Sequence, residues 1–112
     1  DNGAVVEEVL GALFDRYPDI IGLYSLGGGN RGVIAALNQR RLGARICVIA
    51  HELTTHGREA LVDGTFDAIL NQDPGHEARS AMRVLRALTD GQPIDHGQER
   101  IRIDIYLRDN LP

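Results

Sequence analysis

The chain has a single cysteine, Cys47, no tryptophan, one methionine and four prolines. One cysteine cannot form an internal disulfide, so nothing implies oxidative folding. Basic residues are not in excess. Twelve Lys and Arg stand against 16 Asp and Glu, a net charge of −4, so the footprint of a nucleic-acid-binding surface is missing. There is no apolar run long enough to span a bilayer and no signal-peptide pattern, so no membrane partner is expected. Also missing are an internal repeat, a low-complexity stretch, a nucleophile-elbow serine and a Cys/His pairing for covalent catalysis. No enzymatic chemistry is legible and no cofactor is expected. What is present is an ordinary globular balance, 43% hydrophobic and 25% charged over 112 residues, enough for one domain around one core. Asp1-Asn2-Gly3 runs straight into a helical pattern, and the expectation is a piece of a longer chain.

Val5, Val6, Val9, Leu10, Leu13, Phe14 and Tyr17 recur at three- and four-residue steps, predicting an amphipathic helix over 4–17. Pro18 ends it. Ile20 to Leu26 is a short apolar strand, followed by the turn Gly27-Gly28-Gly29-Asn30. Asn30 is the expected N-cap of a helix running to Leu42, with Gly43 as its stop. Ile46 to Ala50 is a second strand, with Cys47 packed in the core. Thr54 or Thr55 caps a helix to Gly64, and Phe66 to Leu70 is a third strand. Asp73-Pro74 opens a helix. Its expected buried stripe is Ala78, Ala81, Met82, Leu85 and Leu88, while Arg79, Arg83 and Arg86 line a solvated face. His76 and His96 are expected in solvent. Ile101, Ile103, Ile105 and Leu107 alternate with Arg102, Asp104, Tyr106 and Arg108 as a half-exposed strand. Alternating helices and apolar strands predict an α/β three-layer sandwich, a mainly parallel sheet with helices on both faces.

Ligands of such sheets bind beyond the carboxyl ends of the strands. Here those ends carry Ser25 and Gly27, then His51 and Glu52, then Gln72, with Asn30 in the glycine turn. A hydroxyl, an amide and a carboxylate converging there suit the hydroxyls of a polyol or sugar. Each residue taken singly also reads as a cap or turn former. Glu52 and Gln72 fit that second reading least, because neither is a favoured cap.

Gly27, Gly29 and Gly32 match G-x-G-x-x-G between a strand and a helix, and Glu52 lies twenty positions further on. This is the outline of a dinucleotide site, and it keeps a dinucleotide-binding oxidoreductase domain as an alternative. His51, Glu52 and His56 approach the zincin pattern, but the second histidine comes one position late and the segment is a strand end. No metal is expected.

The run from Ile46 through Glu52 to Thr54, and that from Arg58 through Phe66 and Gln72 to Gly75, resemble lactose-repressor-type transcriptional regulators. They are similar too to type 1 periplasmic sugar-binding proteins, and the closing Tyr106 to Pro112 resembles the tail of the regulators. The resemblance covers nearly the whole chain. It implies a Rossmann-like lobe of a two-lobed effector-binding domain that closes on a small ligand, often a sugar. Residues 1–112 would be its C-terminal part, without the N-terminal lobe and the DNA-binding headpiece. The family's amide falls on Gln72 and its acidic residue on Glu52, where Asp is commoner. Its Asn-Asp pair after the first strand is replaced by Ser25 and the turn from Gly27 to Asn30. The helix after Gln72 belongs by family pattern with the other lobe. The resemblance further implies a homodimer, operator DNA as partner through the absent headpiece, and a cytoplasmic location. A periplasmic transport receptor is the other alternative.

Overall fold

The computed structural model describes residues 2–112. Its elements are α1 (Gly3–Arg16), β1 (Gly22–Tyr24), α2 (Asn30–Gln39), β2 (Cys47–His51), α3 (Thr55–Asp63), β3 (Ala68–Gln72), α4 (Pro74–Asp90), β4 (Ile103–Tyr106) and a 3-10 turn, Arg108–Asn110. The four strands form one sheet in the order β1-β2-β3-β4. β1 and β2 run parallel with Gly22 opposite Cys47, and β2 and β3 run parallel with Ile49 opposite Ala68. The alternating helix–strand order thus produces the mainly parallel α/β sheet that the apolar inner strands predict. Among the described residues no helix is long and apolar enough to cross a membrane.

The chain divides into two compact units, one running up to Asn71 and resumed by Ile105–Pro112, the other Gln72–Asp104. In the first, the buried side chains of the sheet, Val48, Ala50 and Ile69, join Phe14 of α1, Val33, Ala36 and Leu37 of α2, and Ala60 and Leu61 of α3 in one core. Burial of each large aliphatic or aromatic member stabilises by about 1.5–3 kcal/mol. Cys47 does not join them and is exposed. It alternates away from Val48 on β2, and its neighbour across the register is Gly22, which has no side chain to cover it. On α1 only Phe14 of the predicted stripe is fully buried, while Val5, Val9, Leu13 and Tyr17 are exposed.

Local chemistry sets the element ends. Asn2 caps α1 by accepting from the Ala4 N–H at 3.1 Å. Thr54 caps α3 by accepting from Gly57 at 3.1 Å, and Gly64 ends it at φ 83°. α2 ends earlier than Gly43 suggests. Arg41 takes the left-handed conformation at φ 54°, and the Leu42 N–H returns to the Leu37 carbonyl at 2.9 Å, a Schellman closure that folds Leu42 towards the core.

In the second unit Asp73 caps α4 through the His76 N–H at 2.8 Å, as the Asp-Pro start predicts. The expected buried stripe of α4 is instead in the open: Met82, Leu85 and Leu88 are exposed, and Ser80 is the helix's buried residue. Arg83 does not lie idle on a solvated face. Its guanidinium grips Glu99 with two bonds of 2.7 Å, and the Ser80 hydroxyl donates to the same carboxylate. Arg83 first, then Ser80, hold the Glu99 carboxyl down at about 2. His76, expected in solvent, has a buried Nε2. In β4 the isoleucines of the alternating pattern face outwards, and Tyr106 is the residue that packs against the core.

Candidate functional site

The carboxyl ends of β1 and β2 open onto the glycine turn. α2 begins there without a capping side chain. Gly29 is its N-cap in the left-handed conformation, φ 94°, and Asn30 is the first helical residue rather than the cap. The Gly32 N–H donates to the Gly29 carbonyl at 2.8 Å, and the Asn30 and Arg31 amides before it have no helical acceptor and carry the positive end of the helix dipole. Asn30 has a different task. It is buried, and its Nδ2 donates to the His51 carbonyl at 2.9 Å, tying the start of α2 to the end of β2. Its Oδ1 is buried without a partner among the described residues.

Glu52, immediately after β2, sits in the left-handed region at φ 66°. A non-glycine residue there costs about 1–2 kcal/mol and needs outside support. The end of β3 supplies it. The Glu52 N–H donates to the Leu70 carbonyl at 2.9 Å, and the Leu53 N–H donates to Asn71 Oδ1 at 2.9 Å. The polar Asn71 that follows the third apolar run is thus a brace for the Glu52 backbone.

A cavity of about 510 Å³ is lined by Gly3, Gly27, Gly28, Gly29, Asn30, Arg31, Glu52, Thr54 and His56. Of the residues expected at the site, Gly27, Asn30 and Glu52 come together here. Ser25 does not. It lines an apolar groove of about 300 Å³ with Val5, Val9 and Leu26. His51 turns its ring to Tyr24, whose hydroxyl lies 2.7 Å from Nε2. Gln72 is the exposed last residue of β3 and belongs to the second compact unit. Sequence reading missed Arg31, Thr54 and His56. Arg31 carried a signal, since it occupies the first turn of a helix whose N-terminus has no acidic residue to answer it. His56 pairs with Glu59 at 3.6 Å on α3.

Two of the three glycines of the apparent dinucleotide fingerprint, Gly29 and Gly32, have packing duties, while a methyl on Gly27 would meet nothing within 4 Å. A methyl group on Gly32 would lie 2.1 Å from the Gly3 carbonyl oxygen, and one on Gly29 would lie 2.8 Å from Val6 Cγ2. They let α2 close onto α1. Chemically the cavity offers a carboxylate acceptor at Glu52, a cation at Arg31 and helix amides as donors. That mixture suits groups that both donate and accept, as hydroxyls do.

The profile of the periplasmic binding protein domain matches residues 1–93. No curated protein matches the sequence. Among solved structures, the chain is similar to GanP, a glucose-galactose binding protein from Geobacillus stearothermophilus, at TM-score 0.88 and 16% identity, covering 99% of this chain and 40% of that one. It is similar to an ABC transporter solute binding protein from Agrobacterium vitis bound with alpha-D-tagatopyranose, at TM-score 0.82 and 20% identity, over 97% of this chain and 37% of that one. AraP, an arabinose binding protein from Geobacillus stearothermophilus, matches at TM-score 0.74 and 17% identity, over 97% and 40%. The chain spans about two fifths of the length of these structures. At such identities the likeness is one of fold, and it agrees with the profile match over most of the sequence: the chain belongs to the periplasmic binding protein domain family.

Proposed function

We propose that the chain is part of a two-lobed receptor that binds a sugar at the carboxyl ends of its parallel strands. The observation that carries the reading is Glu52, which is held in a costly backbone conformation and faces the same cavity as the uncapped start of α2. Glu52 accepts from ligand hydroxyls, the first-turn amides and Arg31 donate to them, and Asn30 holds the turn in place. Gln72 and Ser25 join as ligand contacts only on closure with the rest of the receptor. Sugar-binding proteins among the structural neighbours support this reading in its transport form, a solute receptor acting outside the cytoplasm. Its test is isothermal calorimetry of the intact protein against glucose, galactose, arabinose and tagatose. Saturable binding of one of them is expected, and heats of dilution alone across the panel contradict the proposal.

A second form rests on sequence resemblance alone. The segment Tyr106 to Pro112, which resembles the tail of lactose-repressor-type regulators, is tied back onto the first unit. Leu111 packs against the core, Asn110 donates to the Ile105 carbonyl at 2.9 Å, and Arg58 donates to the Pro112 carbonyl. In this form the receptor is a cytoplasmic homodimeric transcriptional regulator, and sugar closure alters its grip on operator DNA. Fractionation separates the two. Release of the protein by osmotic shock supports the transport receptor, and sugar-sensitive binding to the DNA upstream of its own gene supports the regulator.

A further inference from the structure

Two opposite charges line the cavity at the glycine turn without pairing with each other. They are Glu52 and Arg31, and among the described residues neither side chain has an ion-pair or hydrogen-bond partner. Single unpaired charges are common on an open surface. Here the two stand on the walls of one cavity of about 510 Å³, room for a sugar-sized molecule.

The donors gather at the start of α2. The Asn30 and Arg31 amides have no helical acceptor, and no acidic side chain stands in that first turn to answer them. Gly27 and Gly29 take φ of 100° and 94°, and a Cβ on Gly27 would meet nothing within 4 Å, so a ligand has room against the backbone there. The Arg31 guanidinium adds a full positive charge. The acceptors are of another kind. Glu52 offers a carboxylate. Asn30 is 7% exposed, and its Oδ1 is buried without a partner among the described residues. These oxygens need donors, which hydroxyls supply.

A neutral sugar answers Glu52 and Asn30 Oδ1 but leaves the Arg31 charge without a counter-charge. A simple anion answers Arg31 and is repelled by Glu52. A molecule carrying both kinds of group answers all three. Building on the sugar-site reading, we infer that the cavity takes a sugar bearing an anionic group, a carboxylate or a phosphate. The anion sits at Arg31 and the first amides of α2, and the hydroxyls turn to Glu52 and Asn30 Oδ1.

Matched ligands test this by calorimetry of the intact protein. Glucose, galactose and arabinose are each compared with the corresponding carboxylate (glucuronate, galacturonate, arabinonate) and with the terminal phosphate ester of the same sugar. In one series an anionic member is expected to bind about tenfold or more tighter than its neutral sugar. Which member does so identifies the anion. Arg31→Gln, at an exposed position, is expected to cut that advantage to about threefold or less, and Arg31→Lys to keep most of it. Circular dichroism confirms that both variants fold. A neutral sugar that binds as tightly as both its anionic forms overturns the anion and leaves the sugar site standing. Absence of binding across every series overturns both. An advantage that survives Arg31→Gln intact overturns the placement of the anion at Arg31.

Discussion

Asn30 and His51 are joined by one bond, from the buried Asn30 amide nitrogen to the His51 carbonyl oxygen over 2.9 Å. It fastens the first turn of α2 to the strand end from which Glu52 departs. Replacing Asn30 with Ala leaves that carbonyl without its donor in a part-buried place, at a cost of about 1–3 kcal/mol. Urea unfolding of Asn30→Ala is expected to show a lower midpoint with an unchanged slope. An unchanged midpoint contradicts the bond's structural weight.

Glu52 pays for its position with backbone strain, so relief is measurable. Glu52→Gly removes the left-handed penalty at φ 66° and is expected to raise stability by about 1 kcal/mol. Glu52→Ala retains the strained geometry and is expected to leave stability within about 0.5 kcal/mol of the natural protein. Thermal unfolding of the two variants side by side is the check. A lower melting temperature for Glu52→Gly refutes the strain.

Gly32 separates helix propensity from packing. Inside a helix, alanine is favoured over glycine by about 1 kcal/mol. At Gly32 the added methyl would lie 2.1 Å from the Gly3 carbonyl oxygen, a contact with backbone that no rotamer relieves. Gly32→Ala is therefore expected to destabilise by about 3 kcal/mol. Gly27→Ala meets nothing within 4 Å and bears only the cost of φ 100°, about 1 kcal/mol. Chemical denaturation that ranks the two the other way contradicts the close α1–α2 approach.

Glu99 gives the second unit an acid sensitivity of known sign. Arg83 and Ser80 lower its carboxyl from 4.5 to about 2 in the folded chain. The folded state holds the proton less tightly than the unfolded state. The stabilisation is therefore complete above the unfolded value and is lost as pH falls through the folded one. The difference in unfolding midpoint between the natural protein and Glu99→Gln is expected to shrink between about pH 4.5 and 2. A difference constant over that window refutes the Arg83–Glu99 clasp.

Much of the fold was legible because it rests on local chemistry. Asp73-Pro74 starts α4, Thr54 caps α3, Gly64 ends it, and the apolar inner runs are parallel strands. The misses share a cause. Periodicity shows which residues share a face but not what covers it, so Met82, Leu85 and Leu88 read as core and are exposed. Cys47 read as core because strand parity was not anchored to the helix layer, and Gly22 opposite it offers no cover. At the candidate site, Glu52 stood out as a residue unsuited to capping. Its left-handed backbone and its brace from Asn71 depend on contacts between strand ends that no local pattern records. Arg31 and His56 reach the cavity from helix first turns; in the sequence His56 reads only as part of a metal pattern with His51 and Glu52, and Arg31 only as a spacer of the glycine fingerprint.

The most direct test of the receptor reading is the affinity of the intact protein for whichever of glucose, galactose, arabinose and tagatose it binds, before and after Glu52→Ala. Loss of a charged hydrogen-bond acceptor from a sugar hydroxyl predicts about tenfold to hundredfold weaker binding by calorimetry. An affinity unchanged by Glu52→Ala contradicts the placement of the sugar at this cavity.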